Sequence, residues 1–276
     1  DVDLCMRWGF GMKQGPFELW QEAGWLEVAK MVQEDIAAGK ALCSAPLPKW
    51  VFEGPVAEAG GVHTPAGSWN PTTGQFVAPR SLPVYARQHF PESVLGANAP
   101  SAATAGTTVF EDESIRLWTL DADQDGPCGS QVLIASIKTK MHAIGPGVVE
   151  GLLQAQALAD KDYQGLVIWS NDEMFSAGAD LQSMLPAFMM GGADAIGGAE
   201  EQMQQAMLKL RYSNVPVVSA VRGLALGGGC ELAVYSSRRV VAMESYIGLV
   251  EVGVGLIPGA GGLTYIARRA AENMAL

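Results

Sequence analysis

Basic residues and metal-binding side chains are scarce in this chain of 276 residues. Only 18 Lys and Arg residues stand against 29 Asp and Glu, which gives a formal net charge of −11 at pH 7. A nucleic-acid partner needs a basic face that neutralises phosphates, so the composition argues against one. The three histidines are His63, His89 and His142. Because they are far apart, we expect no metal site and expect each to be a surface or capping residue.

Paired cysteines and long apolar runs are missing as well. No apolar run is long enough to span a bilayer, and no basic leader precedes an apolar stretch, so neither a membrane span nor a signal peptide is predicted. The cysteines lack the CxxC spacing of zinc sites and form no disulfide pattern, which favours a reducing cytoplasm. They are Cys5, Cys43, Cys128 and Cys230.

The first part of the chain divides into two stretches. Residues 1–52 place apolar residues at helical spacing, with Pro16 suited to the first turn of a helix and Gly39 to a helix end, so they predict a small all-α piece. Residues 53–108 are rich in Gly and Pro and lack periodicity. They predict a connector with little regular structure, and its last ten residues, 99–108, predict a flexible joint.

Residues 109–276 alternate predicted strands with predicted helices. This alternation predicts an α/β fold with a mainly parallel sheet and right-handed crossovers, with ligands bound near the carboxyl ends of the strands. Residues 184–198 are rich in Met and Gly, and a mobile wall for an acyl chain and an irregular surface loop are about equally expected there. The strands are predicted at 114–120, 131–137, 166–169 and 217–221, and the helices at 146–158 and 200–212.

The stretch Gly223-Leu-Ala-Leu-Gly-Gly-Gly-Cys-Glu-Leu-Ala follows one of these strands and opens a helix. Three consecutive glycines leave the backbone N–H groups of the helix start accessible to a ligand oxygen. Glu231 comes three residues after Gly228, so an amide and a carboxylate face one pocket. Taken alone, the glycines are typical of a flexible loop, and the Glu is typical of charge compensation at a helix start.

Two further stretches point to the same kind of site. Small residues at 176–179, before Asp180, again let backbone amides approach a ligand, although an ordinary turn with Asp180 as a helix N-cap is the alternative. Glu251 lies in an apolar, strand-like run, where burial would raise its pKa; an exposed Glu on an edge strand is the alternative.

Together the three stretches resemble the crotonase (enoyl-CoA hydratase/isomerase) superfamily through Phe-Ser-Ala-Gly-Ala-Asp-Leu, Gly-Leu-Ala-Leu-Gly-Gly-Gly-Cys-Glu-Leu-Ala and Glu-Val-Gly-Val-Gly-Leu-Ile-Pro-Gly-Ala-Gly-Gly. The resemblance implies crotonase-like repeated ββα units over 109–276. It also implies hydration of 2-enoyl-CoA to 3-hydroxyacyl-CoA in fatty-acid β-oxidation. Glu231 would activate water and Glu251 would exchange the proton at carbon 2, while the N–H groups of Ala179 and Gly228 form the oxyanion hole.

The same resemblance implies residues that bind the substrate. A CoA thioester is then the substrate, and neither a metal nor a further cofactor is expected. The chain departs from the family at His142, where Asn is usual, and at Val250, where hydratases usually have Pro. The substrate-binding residues that it implies are Lys140, Ala143, Ala177, Gly178, Asp180 and Gly227.

The first 52 residues resemble a second family, the 3-hydroxyacyl-CoA dehydrogenases. Met6-Arg-Trp-Gly-Phe-Gly-Met-Lys-Gln-Gly-Pro-Phe-Glu-Leu-Trp20 and Gly24 are similar to the C-terminal helical domain of that family. No Gly-x-Gly-x-x-Gly follows a strand, so the NAD-binding half is expected to be absent, and NAD is expected only for that missing half. The order of the two parts implies a fragment of a bacterial multifunctional β-oxidation protein, a homo-oligomer when intact.

Other functions stay open at this point. An enoyl-CoA isomerase needs one carboxylate that carries a proton between two carbons, and the presence of both Glu231 and Glu251 favours a hydratase. A non-catalytic scaffold for the dehydrogenase is a second alternative, and a plain acyl-CoA-binding module is a third.

Overall fold

The computed structural model describes residues 1–80, 82–83, 88–90, 102–121, 126–170 and 172–274. The chain forms two compact units, Asp1–Ser101 and Ala102–Leu276. The boundary lies inside the stretch predicted as a flexible joint, of which residues 99–101 are outside the described residues.

The first unit begins with the predicted helices. Helix α1 (Val2–Phe10) ends at Gly11, whose φ of 66° is a left-handed conformation that glycine adopts easily. Helix α2 (Pro16–Glu22) has proline in its first turn, and helix α3 (Trp25–Ala37) follows directly. A short helix, α4 (Pro55–Ala59), comes after a 3-10 turn at Lys49–Val51.

The structure differs from the expected connector at residues 53–77, and the first unit is therefore not all-α. Three short strands, β1 (His63–Thr64), β2 (Gly67–Asn70) and β3 (Gln75–Val77), form an antiparallel sheet. Strands of two to four residues are too short to produce an alternating pattern, which is why the sequence did not reveal them. Their aromatic residues complete an apolar core with α3, formed by Trp25, Ala29, Val51, Val56, Val62, Trp69 and Phe76.

A buried polar cluster joins the start of the first unit to its sheet. His63 is only 6% exposed, and its Nε2 lies 2.7 Å from Oδ2 of Asp3. Its Nδ1 lies 2.9 Å from Oγ of Ser68, so both ring nitrogens have a hydrogen-bond partner. Asp3 also accepts the backbone N–H of Phe17 at 2.8 Å. The prediction of a surface or capping role was therefore wrong for His63, whereas His89 is exposed.

The second unit contains a six-stranded mixed sheet in the order β10-β8-β7-β6-β5-β4. The three pairs from β10 to β6 are parallel, and the two pairs from β6 to β4 are antiparallel, which agrees with the predicted α/β class. A parallel pair, β11 and β9, forms a second small sheet. The strands are β4 (Thr107–Glu111), β5 (Ile115–Thr119), β6 (Val132–Ile137), β7 (Gly165–Ile168), β8 (Val217–Val221), β9 (Leu224–Leu226), β10 (Arg238–Val241) and β11 (Tyr246–Gly248).

Helices pack on this sheet around one apolar core that includes Leu133, Leu152, Leu166, Leu210 and Leu232. They are α5 (Pro146–Asp162), α6 (Leu181–Arg211), α7 (Gly228–Tyr235) and α8 (Gly262–Met274).

Helix α6 corrects the expectation of an irregular stretch at 184–198. The chain there is helical apart from Gly192, whose φ of 59° and ψ of −148° break the helix. The Ala, Met and Leu residues around the glycines favour a helix, and this preference outweighs Pro186, which lies in the second turn.

A buried cation fixes the first residues of the second unit. Arg116 on β5 is 5% exposed and donates to the carbonyl oxygens of Ala102 at 2.9 Å and Ala105 at 2.7 Å. Its Nε donates to Oγ1 of Thr108 at 2.9 Å, and its guanidinium lies 4.9 Å from the ring centre of Trp118. The part of the predicted joint that the structure describes is thus held by hydrogen bonds.

Candidate active site

Four segments of the second unit lie side by side and carry the predicted site residues. Residues 140–144 bond to 177–180, since Ile144 donates its N–H to Gly178 at 2.8 Å and Asp180 donates to Ile144 at 3.0 Å. Residues 175–176 bond to Leu224 at the start of β9. Gly227 donates its N–H to the carbonyl of Gly248 at 2.9 Å, which brings in β11 and the residues that follow it.

The two backbone amides predicted for the oxyanion hole lie on neighbouring loops. A Cβ atom placed on Gly228 would lie 3.3 Å from the nitrogen of Ala179, and one placed on Gly178 would lie 3.2 Å from the nitrogen of Gly228. Within the part of the chain that the structure describes, neither Ala179 nor Gly228 donates its N–H to an acceptor. Two free donors this close can stabilise one negatively charged oxygen.

Ser176 holds the two loops together, a role that the sequence analysis did not assign. Its side chain is fully buried; Oγ donates to the carbonyl of His142 at 2.7 Å and accepts the N–H of Gly178 at 3.1 Å. Its carbonyl accepts the N–H of Leu226 at 3.0 Å. A Cβ on Gly229 would lie 2.7 Å from that carbonyl oxygen, so glycine is needed there for the close packing. Only the three-dimensional contacts reveal this connection.

Glu231 is a carboxylate in a nearly closed environment. It lies in α7, is 2% exposed, and its Oε1 accepts the N–H of Gly262 at 2.8 Å, at the start of α8. Burial raises the pKa of Glu231, and the negative charges of Glu251 and Glu200 raise it further, while the N–H donors of Gly262 and Ala260 oppose the increase. Such a carboxyl group is suited to exchanging protons.

Glu251 lies in a different setting from the one predicted. It begins a 3-10 turn, Glu251–Val254, and not a strand, because the left-handed Gly255 closes the turn by donating its N–H to the carbonyl of Val252. Glu251 is half-buried, and its buried Oε2 has no hydrogen-bond partner within the described residues. Its Oε1 lies 3.0 Å from the place that a Cβ would take on Gly227. An unpartnered buried carboxylate oxygen beside the glycine loop is available to a ligand.

Cys230, the residue before Glu231, is buried in α7. Burial raises the pKa of its thiol to about 11, and the carboxylates of Glu231 and Glu251 add to that increase. The thiol is therefore neutral near pH 7, which makes it a poor nucleophile.

In the segment predicted to bind CoA, some residues are accessible to a ligand, and the neighbouring Lys138 is already bound within the protein. Lys140 is exposed and Ala143 half-buried, whereas Lys138 is bound to Glu111 at 2.7 Å and to the carbonyl of Asp112. His142 is buried, which the prediction of a surface or capping role missed.

The ring of His142 holds the turn at residues 140–142 against the residues that precede Ser176. Its Nε2 lies 2.8 Å from Oδ2 of Asp172, and its Nδ1 lies 3.0 Å from the carbonyl of Met174. The backbone of His142 is left-handed, with φ 50°, a conformation that is uncommon outside glycine and costs backbone energy. His142 thereby connects the segment predicted to bind CoA to the loop of Ser176.

The other predicted binding residues lie in the same loops. Ala177 and Gly178 belong to the loop that precedes α6, and Gly227 precedes α7. Asp180 caps α6, where its Oδ1 accepts the N–H of Ser183 at 3.1 Å, so the N-cap alternative is confirmed.

The described residues offer neither a metal-binding cluster nor a membrane-spanning helix. Those residues contain no group of three or more His, Cys, Asp or Glu side chains that could hold a metal ion. Among the helices that the structure describes, none combines the length and the apolar character needed to cross a membrane.

Comparisons with known proteins agree with this geometry. The sequence profile of the family described as "Enoyl-CoA hydratase/isomerase" matches residues 132–276. A protein of Rickettsia felis, named as a fatty acid oxidation complex trifunctional enzyme, is 32% identical over 267 residues, which are 96% of this chain and 30% of that protein. A protein of Bacillus subtilis, named as a 3-hydroxyacyl-CoA dehydrogenase, is 26% identical over 95% of this chain and 30% of its own length.

The chain therefore spans about a third of the length of these two relatives. Among solved structures, an enoyl-CoA hydratase from Geobacillus kaustophilus is similar with a TM-score of 0.51 and 20% identity, over 59% of each chain. At this identity the similarity supports the fold alone.

Proposed function

The chain belongs to the enoyl-CoA hydratase/isomerase family, and from this premise we propose that it hydrates 2-enoyl-CoA thioesters to 3-hydroxyacyl-CoA. One observation carries the proposal. Negative charge at Glu251 contributes to the raised pKa of Glu231, so the two carboxyl groups influence each other, and Oε1 of Glu251 lies 3.0 Å from the position that a Cβ would take on Gly227. Gly228, whose N–H is free, directly follows Gly227 in the chain. These relationships support a site in which two carboxyl groups act together with an oxyanion donor.

The amides of Ala179 and Gly228 act on the thioester carbonyl. When a nucleophile adds to carbon 3, the carbonyl oxygen gains negative charge as an enolate. Two N–H donors aimed at that oxygen stabilise the charge, and loss of one such donor typically raises the barrier by roughly 3–4 kcal/mol. Ser176 contributes by holding the loops of both donors in place.

The carboxyl groups divide the proton transfers. In the proposed reaction Glu231, as a carboxylate, takes a proton from water while the water oxygen forms its bond to carbon 3. Glu251, as the acid, gives a proton to carbon 2 as the enolate collapses back to the thioester. The net change is addition of one water across the double bond, after which one proton returns from Glu231 to Glu251 through exchange with solvent. The raised pKa of Glu231 supports its role as a base near neutral pH.

The remaining assignments are proposals of the same kind. We propose that Lys140, Ala143, Ala177, Gly178, Asp180 and Gly227 contact the CoA thioester. The names of the Rickettsia felis and Bacillus subtilis relatives support a place in fatty-acid β-oxidation, next to an NAD-dependent 3-hydroxyacyl-CoA dehydrogenase whose NAD-binding half is not in this chain. The homo-oligomer and the cytoplasmic location stay predictions, as do the division of the chain at 1–52, 53–108 and 109–276 and the dehydrogenase origin of residues 1–52.

A direct assay tests the central proposal. The chain is given 2-enoyl-CoA thioesters of graded length, and loss of the conjugated double bond is followed by ultraviolet absorbance. In parallel it is given 3-enoyl-CoA, from which an isomerase would produce the conjugated thioester. We expect hydration to be faster than isomerisation. Isomerisation alone would replace the proposal with the isomerase function, and binding of acyl-CoA without either reaction would support a scaffold.

A further inference from the structure

A single peptide group beside Glu231 is held from both sides by one helix. The hydroxyl of Tyr235 donates to the carbonyl of Gly261 at 3.0 Å, and the N–H of Gly262 donates to Oε1 of Glu231 at 2.8 Å. That carbonyl and that N–H belong to the same peptide group. Glu231 and Tyr235 are four residues apart in α7, so their side chains lie on one face of the helix.

Two glycines let the peptide group come this close. Gly261 has a φ of 106°, a conformation that side chains rarely permit, and a Cβ on it would lie 2.5 Å from the hydroxyl of Tyr235. A Cβ on Gly262 would lie 3.0 Å from Oε1 of Glu231. The Tyr235 ring is only 8% exposed, so water does not readily compete for its hydroxyl.

We propose that Tyr235 is a positioning residue for Glu231, acting through the peptide group that joins Gly261 and Gly262. This inference rests on the proposed function, in which Glu231 is the base. A peptide group between two glycines rotates easily, and the hydroxyl of Tyr235 stops that rotation with the N–H directed at the carboxylate. A hydrogen bond to the carbonyl also polarises the peptide group and makes its N–H a stronger donor.

Several charged groups surround this arrangement and set its electrostatics. Negative charge at Glu251 and Glu200 raises the pKa of Glu231, as burial does, whereas the donor at Gly262 lowers it. Two groups lie near the Tyr235 ring. The guanidinium of Arg211 is 5.9 Å from its centre, and the ring centre of Tyr265 is 6.1 Å from it. If the N–H of Gly262 becomes a weaker donor, burial and the neighbouring negative charges are less opposed, and the pKa of Glu231 rises.

The test replaces Tyr235 with Phe and uses Tyr265→Phe, in the neighbouring ring, as the matched control. The Glu231 carboxyl carbon is followed by NMR as the ligand-free chain is titrated, with Glu231→Gln used to assign its signal. We expect Tyr235→Phe to raise the pKa of Glu231 and Tyr265→Phe to leave it unchanged. Hydration by Tyr235→Phe should lose about tenfold in kcat with KM within about twofold, and its low-pH limb should move to higher pH.

A second variant gives the opposite sign and does not depend on how well Tyr235→Phe folds. Tyr235→3-fluorotyrosine keeps the ring and makes the hydroxyl a stronger donor, so the pKa of Glu231 should fall. An unchanged Glu231 titration in both variants, with changes only in thermal stability, would overturn the inference. The titration needs no substrate. A chain without hydration activity would therefore refute the proposed function, and the NMR data would still decide whether Tyr235 positions Glu231.

Discussion

Oε1 of Glu251 lies 3.0 Å from the position that a Cβ atom would occupy on Gly227. The same glycine accepts the backbone N–H of Glu231 at 3.0 Å and has a φ of 51° with a ψ of −119°. A side chain at this position therefore meets both a strained backbone and a carboxylate, so glycine at 227 leaves room for the Glu251 carboxylate.

Gly227→Ala is expected to harm activity more than stability. The methyl group pushes Glu251 away, and we expect kcat to fall about 100-fold with a loss of about 1–2 kcal/mol in the free energy of unfolding. Steady-state kinetics and urea unfolding measure the two effects. Gly39→Ala is the control, since Gly39 has a φ of 68° but no atom within 4 Å of its missing Cβ. Equal losses of activity in the two variants would mean that strain, and not the carboxylate, is responsible.

Removal of either carboxylate should stop hydration without stopping binding. Glu231→Gln and Glu251→Gln are each expected to lower kcat at least about 100-fold, because each removes one proton transfer. Calorimetry with a saturated acyl-CoA should show a dissociation constant close to that of the parent. Glu244→Gln, at an exposed position nearby, is the control and should keep full activity. Near-normal turnover in either active-site variant would contradict the two-carboxylate mechanism.

Glu231→Gln should also make the chain more stable near neutral pH. Burial raises the pKa of Glu231 above its ordinary value of 4.5. Between that value and the folded-state pKa, the folded chain binds more protons than the unfolded chain, so stability falls as pH rises through this window. Glutamine has no charge to bury. Urea unfolding should therefore show the variant to be the more stable protein at about pH 7 and equal to the parent below about pH 4.

Gly228 should tolerate neither Ala nor Pro. Proline removes the N–H proposed to bind the thioester oxygen, so Gly228→Pro should abolish hydration. Alanine keeps the N–H, but its methyl group would lie 2.9 Å from Cε of Met203 and 3.3 Å from the nitrogen of Ala179. We expect Gly228→Ala to raise KM and lower kcat while Gly228→Pro lowers kcat further, with folding checked by circular dichroism. A folded Gly228→Pro variant with parental activity would falsify the assignment of this amide.

The buried cluster of Asp3, His63 and Ser68 should contribute to the stability of the first unit. Asp3→Asn weakens the bond to Nε2 of His63 and the N–H contact from Phe17, and we expect a loss of about 3 kcal/mol in the free energy of unfolding of that unit. Tryptophan fluorescence follows its unfolding, since Trp25 lies in the core of that unit. Asp35→Asn, at an exposed position, should change the value by less than about 0.5 kcal/mol.

The sequence predicted the parts of the fold that depend on local pattern. The glycines at 227–229 and the first turn at Pro16 were found because backbone freedom and helix starts depend on residue type at fixed positions. The strands β5 to β8 were found because each has a run of apolar residues, and β7 and β8 also follow helices with their own period.

Contacts between distant residues could not be predicted in this way. Asp3 and His63 are 60 residues apart, and Tyr235 and Gly261 are 26 apart, so no spacing rule connects them. The setting of Glu251 was missed because a left-handed glycine after an apolar run changes a strand into a turn, and the apolar pattern alone does not contain that information.

The bonds from Arg116 to Ala102 and Ala105 have a mechanical consequence. A pull on the chain from the amino-terminal side reaches these two carbonyls before it reaches Thr107, where the edge strand begins. The load then falls on the buried guanidinium of Arg116, the second residue of β5. The tension therefore passes first to β5, which is paired on both sides, and not to the edge strand β4.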